Sequence, residues 1–125
     1  MTLSQTDTEI KGILRSQKKK KGIKAMSVIS VNKTNFDEVV NSEKTVLLDF
    51  YADWCGPCRM LGPVLEKIAD ERDDVAVAKV NCDDVPSLAE AYGVTSIPAL
   101  FIIKNGEVAN QAVGFMPKEK VLALL

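Results

Sequence analysis

The stretch Thr45-Val46-Leu47-Leu48-Asp49-Phe50-Tyr51-Ala52-Asp53-Trp54-Cys55-Gly56-Pro57-Cys58-Arg59 contains a strand, a sharp exit and the start of a helix. Thr45 to Ala52 is β-rich and almost wholly apolar, as a strand covered on both faces would be, which makes it the expected centre of a sheet. After it, apolar residues at 61, 64, 65, 68 and 69 form a helical stripe from Cys58 to about Arg72, with Pro63 inside it. One charge, Asp49, interrupts the strand, and two cysteines three residues apart open the helix.

Outward from that stretch the pattern alternates. Ser27 to Val31 is a short β-branched strand, and Asn35-Phe36-Asp37-Glu38 has the form of a capping box for a helix to about Asn41. Val75 to Asn81 reads as a strand joined to the central one by a parallel crossover. Asp83 or Asp84 is the expected cap of a short helix ending at Gly93. Ala99 to Ile103 and Glu107 to Val113 flank Lys104-Asn105-Gly106, a strong hairpin signal, so these two strands should be antiparallel. Pro117 stands where a last helix would begin. The chain is therefore α/β, a central mixed β-sheet flanked by helices in the order β-α-β-α-β-α-β-β-α.

The chain has 125 residues, 46% hydrophobic and 26% charged, enough for one globular domain that needs no disulfide or metal to be stable. Its hydrophobic runs are broken by Asp49, Asp53 and Lys79 well short of a membrane span. Histidine is absent, which removes Ser-His-Asp and Cys-His catalysis and a haem histidine. Three cysteines cannot complete a four-thiolate zinc or iron-sulfur site in a monomer. Residues 1–25 hold seven basic and two acidic side chains, a net +5, while the other 100 hold nine basic and fifteen acidic, a net −6. With the lysine run 18–21 and few large apolar residues, 1–25 reads as a basic, disordered extension and 26–125 as the folded domain. The favoured alternative reads Met26 as the true start of translation and residues 1–25 as an upstream read-through. The extension lacks the apolar core of a secretory signal, and it is built on lysine and carries Asp7 and Glu9 where a transit peptide is Arg-rich and poor in acid, so a cytoplasmic protein is expected.

Cysteines at i and i+3 on a helical turn lie close to disulfide distance, and the four-residue loop they close would stabilise the fold by only about 2 kcal/mol. A bond that opens and closes is the better account. Cys55, nearer the helix N-terminus, faces unpaired N–H groups that favour its thiolate, and Cys58, further in, would resolve a mixed disulfide. Cys82 has no partner by spacing and reads as a small buried hydrophobe, with a regulatory thiol as the alternative. Met60, Phe36 and Phe101 read as core.

These residues resemble the thioredoxin family: Asp49 through Arg59 with Trp54-Cys55-Gly56-Pro57-Cys58, then Pro63, Ala78-Lys79-Val80-Asn81, Ile97-Pro98 and Gly114. The resemblance covers residues 26–125 and implies a thioredoxin fold with Cys55 as nucleophile, Cys58 as resolving thiol and a cis peptide before Pro98. It also implies substrate docking on Trp54, Gly56, Pro57, Ile97, Pro98 and Gly114. Asp49 would transfer the proton of Cys58, with Lys79 tuning it, whereas the plainer reading pairs Asp49 and Lys79 in a salt bridge. Tyr51 stands where many members of the family have tryptophan.

The activity implied is protein-disulfide reduction by a monomeric dithiol carrier with no bound cofactor. Its electrons would come from NADPH through a separate thioredoxin reductase, and its substrates would be disulfide-containing proteins such as reductases and peroxidases, with no membrane or nucleic-acid partner. The absence of histidine between the cysteines favours reduction over oxidation. The alternative is a binding or chaperone-like module with incidental thiols, which leaves Asp49 without a purpose. The last apolar pattern is still running at Leu125, a few residues short of usual family length.

Overall fold

The computed structural model describes residues 28–125, and the readings of residues 1–25 and Met26 lie outside them. The strands are β1 (Val28–Ser30), β2 (Thr45–Tyr51), β3 (Val75–Asn81), β4 (Ala99–Lys104) and β5 (Glu107–Val113). The helices are α1 (Phe36–Val40), α2 (Gly56–Glu71), α3 (Pro86–Ala91) and α4 (Lys118–Leu124). Among the described residues the elements follow the expected order. They build one mixed sheet, β1-β3-β2-β4-β5, with β2 in the middle.

β2 pairs parallel with β3, Asp49 opposite Lys79 and Tyr51 opposite Asn81, and antiparallel with β4, Asp49 opposite Leu100. Side chains alternate across a strand, so β2 serves two cores at once. Val46, Leu48 and Phe50 join Ala78, Val80, Phe101 and Ile103 under α1 and α3. Leu47 joins Val75, Val77, Leu100 and Ile102 under Leu61, Leu65 and Ile68 of α2 and Val121 of α4. The helical stripe read from sequence is the buried face of α2.

Three local readings need correction. Asn35 precedes α1, but its side chain caps no helix N–H. Its Oδ1 accepts from Asn32 N at 2.7 Å and its Nδ2 donates to Ser30 O at 2.9 Å, so the loop after β1 takes the groups the capping box needed. Val85, not Asp83 or Asp84, is the N-cap of α3, with Pro86 opening the helix. Met60 is 60% exposed, because it lies off the stripe of α2. Phe101 is buried and Phe36 packs half-buried against the same core, as expected.

The hairpin forms as read. Asn105 (φ 55°) and Gly106 (φ 81°) both take the left-handed conformation that lets a two-residue turn match strand twist. A Cβ at Gly106 would lie 2.9 Å from Asn41 Oδ1, so the tip also packs tightly against the end of α1.

Candidate redox site

β2 ends at Tyr51 and α2 begins at Gly56, so four residues turn the chain at the carboxyl end of the central strand. Arg59 Nη1 donates to Asp53 O at 2.8 Å, and Cys55 N donates to Ala52 O at 3.2 Å, which fix this turn. Cys55 is the N-cap of α2 in extended conformation, and its Sγ accepts from Cys58 N at 3.2 Å. The helix therefore starts earlier than the apolar stripe suggested, because the sulfur takes the capping role usually filled by Ser or Asp.

Cys55 and Cys58 are joined in a disulfide, their Cα atoms 5.2 Å apart. Both are buried against Ala52, Tyr51 and Ile97, and Cys55 Sγ lies 3.9 Å from Ile97 O. The Ile97–Pro98 peptide is cis. Gly114 N donates to Pro98 O at 2.7 Å, and with φ 100° the glycine holds a backbone shape that a side chain would strain. Thus Ile97, Pro98 and Gly114 lie in contact at the start of β4 and the end of β5, beside the disulfide.

Trp54 is 69% exposed, and its Nε1 donates to Asp83 Oδ2 at 3.1 Å. Asp83 N in turn donates to Asn81 Oδ1 at 2.9 Å. Sequence reasoning assigned Asp83 to a helix cap and missed this bond. The signal was the register, since Tyr51 opposite Asn81 places the chain after β3 beside the chain after β2. Exposed Met60 and Phe115, with Trp54 and Pro57, add to the open surface of the molecule.

Asp49 is fully buried on the α2 side of β2, and neither carboxylate oxygen has a hydrogen-bond partner among the described residues. Burial pushes its pKa up to about 7, opposed by the positive charge of Lys79. The salt bridge of the plainer alternative is not formed. Lys79 Nζ sits instead over the Tyr51 ring, 4.4 Å from its centroid. Cys82 is half-buried and not in a disulfide, its thiol pushed up by burial and then by Asp83 and Asp49. Among the described residues no group of three or more His, Cys, Asp or Glu could hold a metal ion, and no helix is long and apolar enough to cross a membrane.

The thioredoxin family model matches residues 27–125. A thioredoxin from Chlorobaculum thiosulfatiphilum is 51% identical over 85 residues, 67% of this chain and 79% of its own length. One from Porphyra purpurea is 45% identical over 102 residues, covering 80% of this chain and 95% of its own. The solved structure of a mutant thioredoxin from Halobacterium salinarum NRC-1 superposes with a TM-score of 0.73 at 42% identity, covering 78% of this chain and 86% of that one. A dithiol pair in disulfide contact at the head of α2, on this sheet and with these relatives, leaves one assignment: the chain belongs to the thioredoxin family and is a thiol-disulfide oxidoreductase.

Proposed function

We propose that the chain reduces protein disulfides with Cys55 as nucleophile and Cys58 as resolving thiol, Asp49 serving as the proton acceptor. The observation that carries the order of the two thiols is the cap: the Cys55 sulfur already accepts the Cys58 N–H at the positive end of α2. The same donor would stabilise a Cys55 thiolate once the bond is reduced.

In the reduced protein, the Cys55 thiolate attacks one sulfur of a substrate disulfide. The new Cys55–substrate bond forms as the substrate S–S bond breaks, and the released substrate thiolate takes a proton from solvent. Cys58 then loses its proton toward the Asp49 carboxylate and attacks Cys55 Sγ. The second substrate thiolate leaves, and the Cys55–Cys58 disulfide remains. Two electrons have passed to the substrate. A carboxyl poised near neutrality suits this proton transfer, and the Lys79 charge keeps it from rising further.

Trp54, Gly56, Pro57, Ile97, Pro98 and Gly114 form the docking rim in this reading. Exposed Trp54 supplies apolar area, and the backbone near Ile97 can pair with an extended substrate segment. A family member of this kind is recharged by thioredoxin reductase and discharged by disulfide substrates. We assign NADPH as the ultimate donor through that separate reductase, a monomeric state, a cytoplasmic location, and reductases and peroxidases among the substrates. The basic residues 1–25 are taken as an extension dispensable for the chemistry.

The test is insulin disulfide reduction by the full chain with dithiothreitol as donor. Cys55→Ser should fall to the uncatalysed background, and Cys58→Ser should accumulate a mixed disulfide with substrate. Turnover by Cys55→Ser would overturn the reading.

A further inference from the structure

Tyr51 is where three parts of the site meet. Its ring packs against the cluster formed by Ala52, Cys55 and Cys58. The same ring carries the Lys79 ammonium at 4.4 Å. It stands opposite Asn81 in the β2–β3 register, and Asn81 Oδ1 accepts from Asp83 N while Asp83 receives the Trp54 indole N–H. Tyr51 thereby lies beside the turn that holds the loop of the nucleophile.

Lys79 stands directly opposite Asp49 in the β2–β3 register, on the same face of the sheet. A lysine so placed next to a buried carboxylate with two unpartnered oxygens would ordinarily close an ion pair with it. A paired Asp49 would stay ionised through neutral pH and could not exchange a proton with Cys58. The cation is held elsewhere. We propose that Tyr51 is a positioning residue whose ring keeps the Lys79 ammonium beside Asp49 but out of an ion pair with it.

This inference rests on the reading of Asp49 as proton acceptor for its purpose, though not for its geometry. The groups around Asp49 are few. β3 contributes Lys79 and, just past its end, Cys82, while β2 contributes Tyr51. The α2 residues packed on this side of the sheet, Leu61, Leu65 and Ile68, are apolar, and β4 opposes Asp49 with apolar Leu100. Exposed Asp53 and Asp84 act on Tyr51 from the rim.

The test follows the Asp49 carboxyl by carbon NMR in the full-length oxidised protein, with the Lys79 methylene protons as a second probe. In the wild type, ring current should shift the Lys79 ε-protons upfield, and that shift should persist as Asp49 ionises. Collapse of the shift on ionisation would overturn the proposal without any substitution. Tyr51→Phe keeps the ring and should leave the Asp49 midpoint unmoved. Tyr51→Leu should lower it by about one pH unit as Lys79 pairs. In Tyr51→Leu with Lys79→Gln that lowering should disappear. If the lowering persists without the lysine, water entering the space of the ring is the cause and the proposal fails. An unchanged or raised midpoint in Tyr51→Leu also overturns it. If Asp49→Asn leaves insulin turnover unaltered while these shifts hold, the proton-acceptor reading falls and the positioning geometry stands.

Discussion

The two sides of β2 are built for different ends. Toward α1 and α3 the strand presents Val46, Leu48 and Phe50, and Phe50 lies in an aromatic cluster, 5.4 Å from Tyr92 and 5.5 Å from Phe101 between ring centroids. Toward α2 it begins the same way with Leu47, then offers Asp49 and Tyr51. One side closes with every group satisfied by packing. The other carries a carboxylate without partners and a cation resting on a ring, next to the disulfide. Alternate residues of a single strand thus separate stability from chemistry, and the unfavourable group lies on the side where the reactive sulfurs are.

The contrast predicts opposite signs for substitutions one residue apart. Phe50→Ala should lose about 3–5 kcal/mol in guanidinium unfolding, since a fully buried ring is removed from a packed cluster. Asp49→Asn should gain roughly 1–3 kcal/mol at pH 8 while slowing insulin reduction about tenfold or more. A loss of similar size in both variants would erase the distinction between the sides.

Gly106→Ala lies outside both cores and serves as a reference. It should cost about 1–2 kcal/mol at every pH, through the left-handed backbone and the close Asn41 Oδ1, with no change in disulfide turnover. Smallest of all, Lys118→Ala removes the exposed Lys118–Glu71 bridge between α4 and α2, 2.6 Å long, and should cost less than about 1 kcal/mol, diminishing with salt.

The architecture was legible because its signals are periodic. The apolar run of β2, the stripe of α2 and Asn105-Gly106 each report burial or backbone shape directly, and each element appears where it was read apart from the earlier start of α2. The caps were not, because a cap is a competition among local polar groups. Asn35 is claimed by Asn32 and Ser30, and Asp83 by Trp54 and the Asn81 turn. Met60 looked like core by residue type, whereas its phase on the helix exposes it. At the site, the adjacency of Asp49 and Lys79 was readable, and the register shows it. The direction of the lysine was not readable, since it depends on an aromatic neighbour two residues along the opposite strand.

The most direct test is the pH dependence of unfolding free energy for the oxidised wild type and Asp49→Asn between pH 4 and 8.5. Folding raises the Asp49 pKa from 3.8 to about 7, so the unfolded chain releases this proton first. Stability contributed by the group is whole below pH 4 and drains away as pH rises toward 7, by roughly 4 kcal/mol in all, then levels off. The variant lacks that slope, so its stability relative to the wild type should rise between pH 4 and 7, from below the wild type to above it, and stay constant beyond. Parallel curves, or a variant less stable than the wild type at pH 8, would contradict a buried, unpaired Asp49 and with it the chemical side of the sheet.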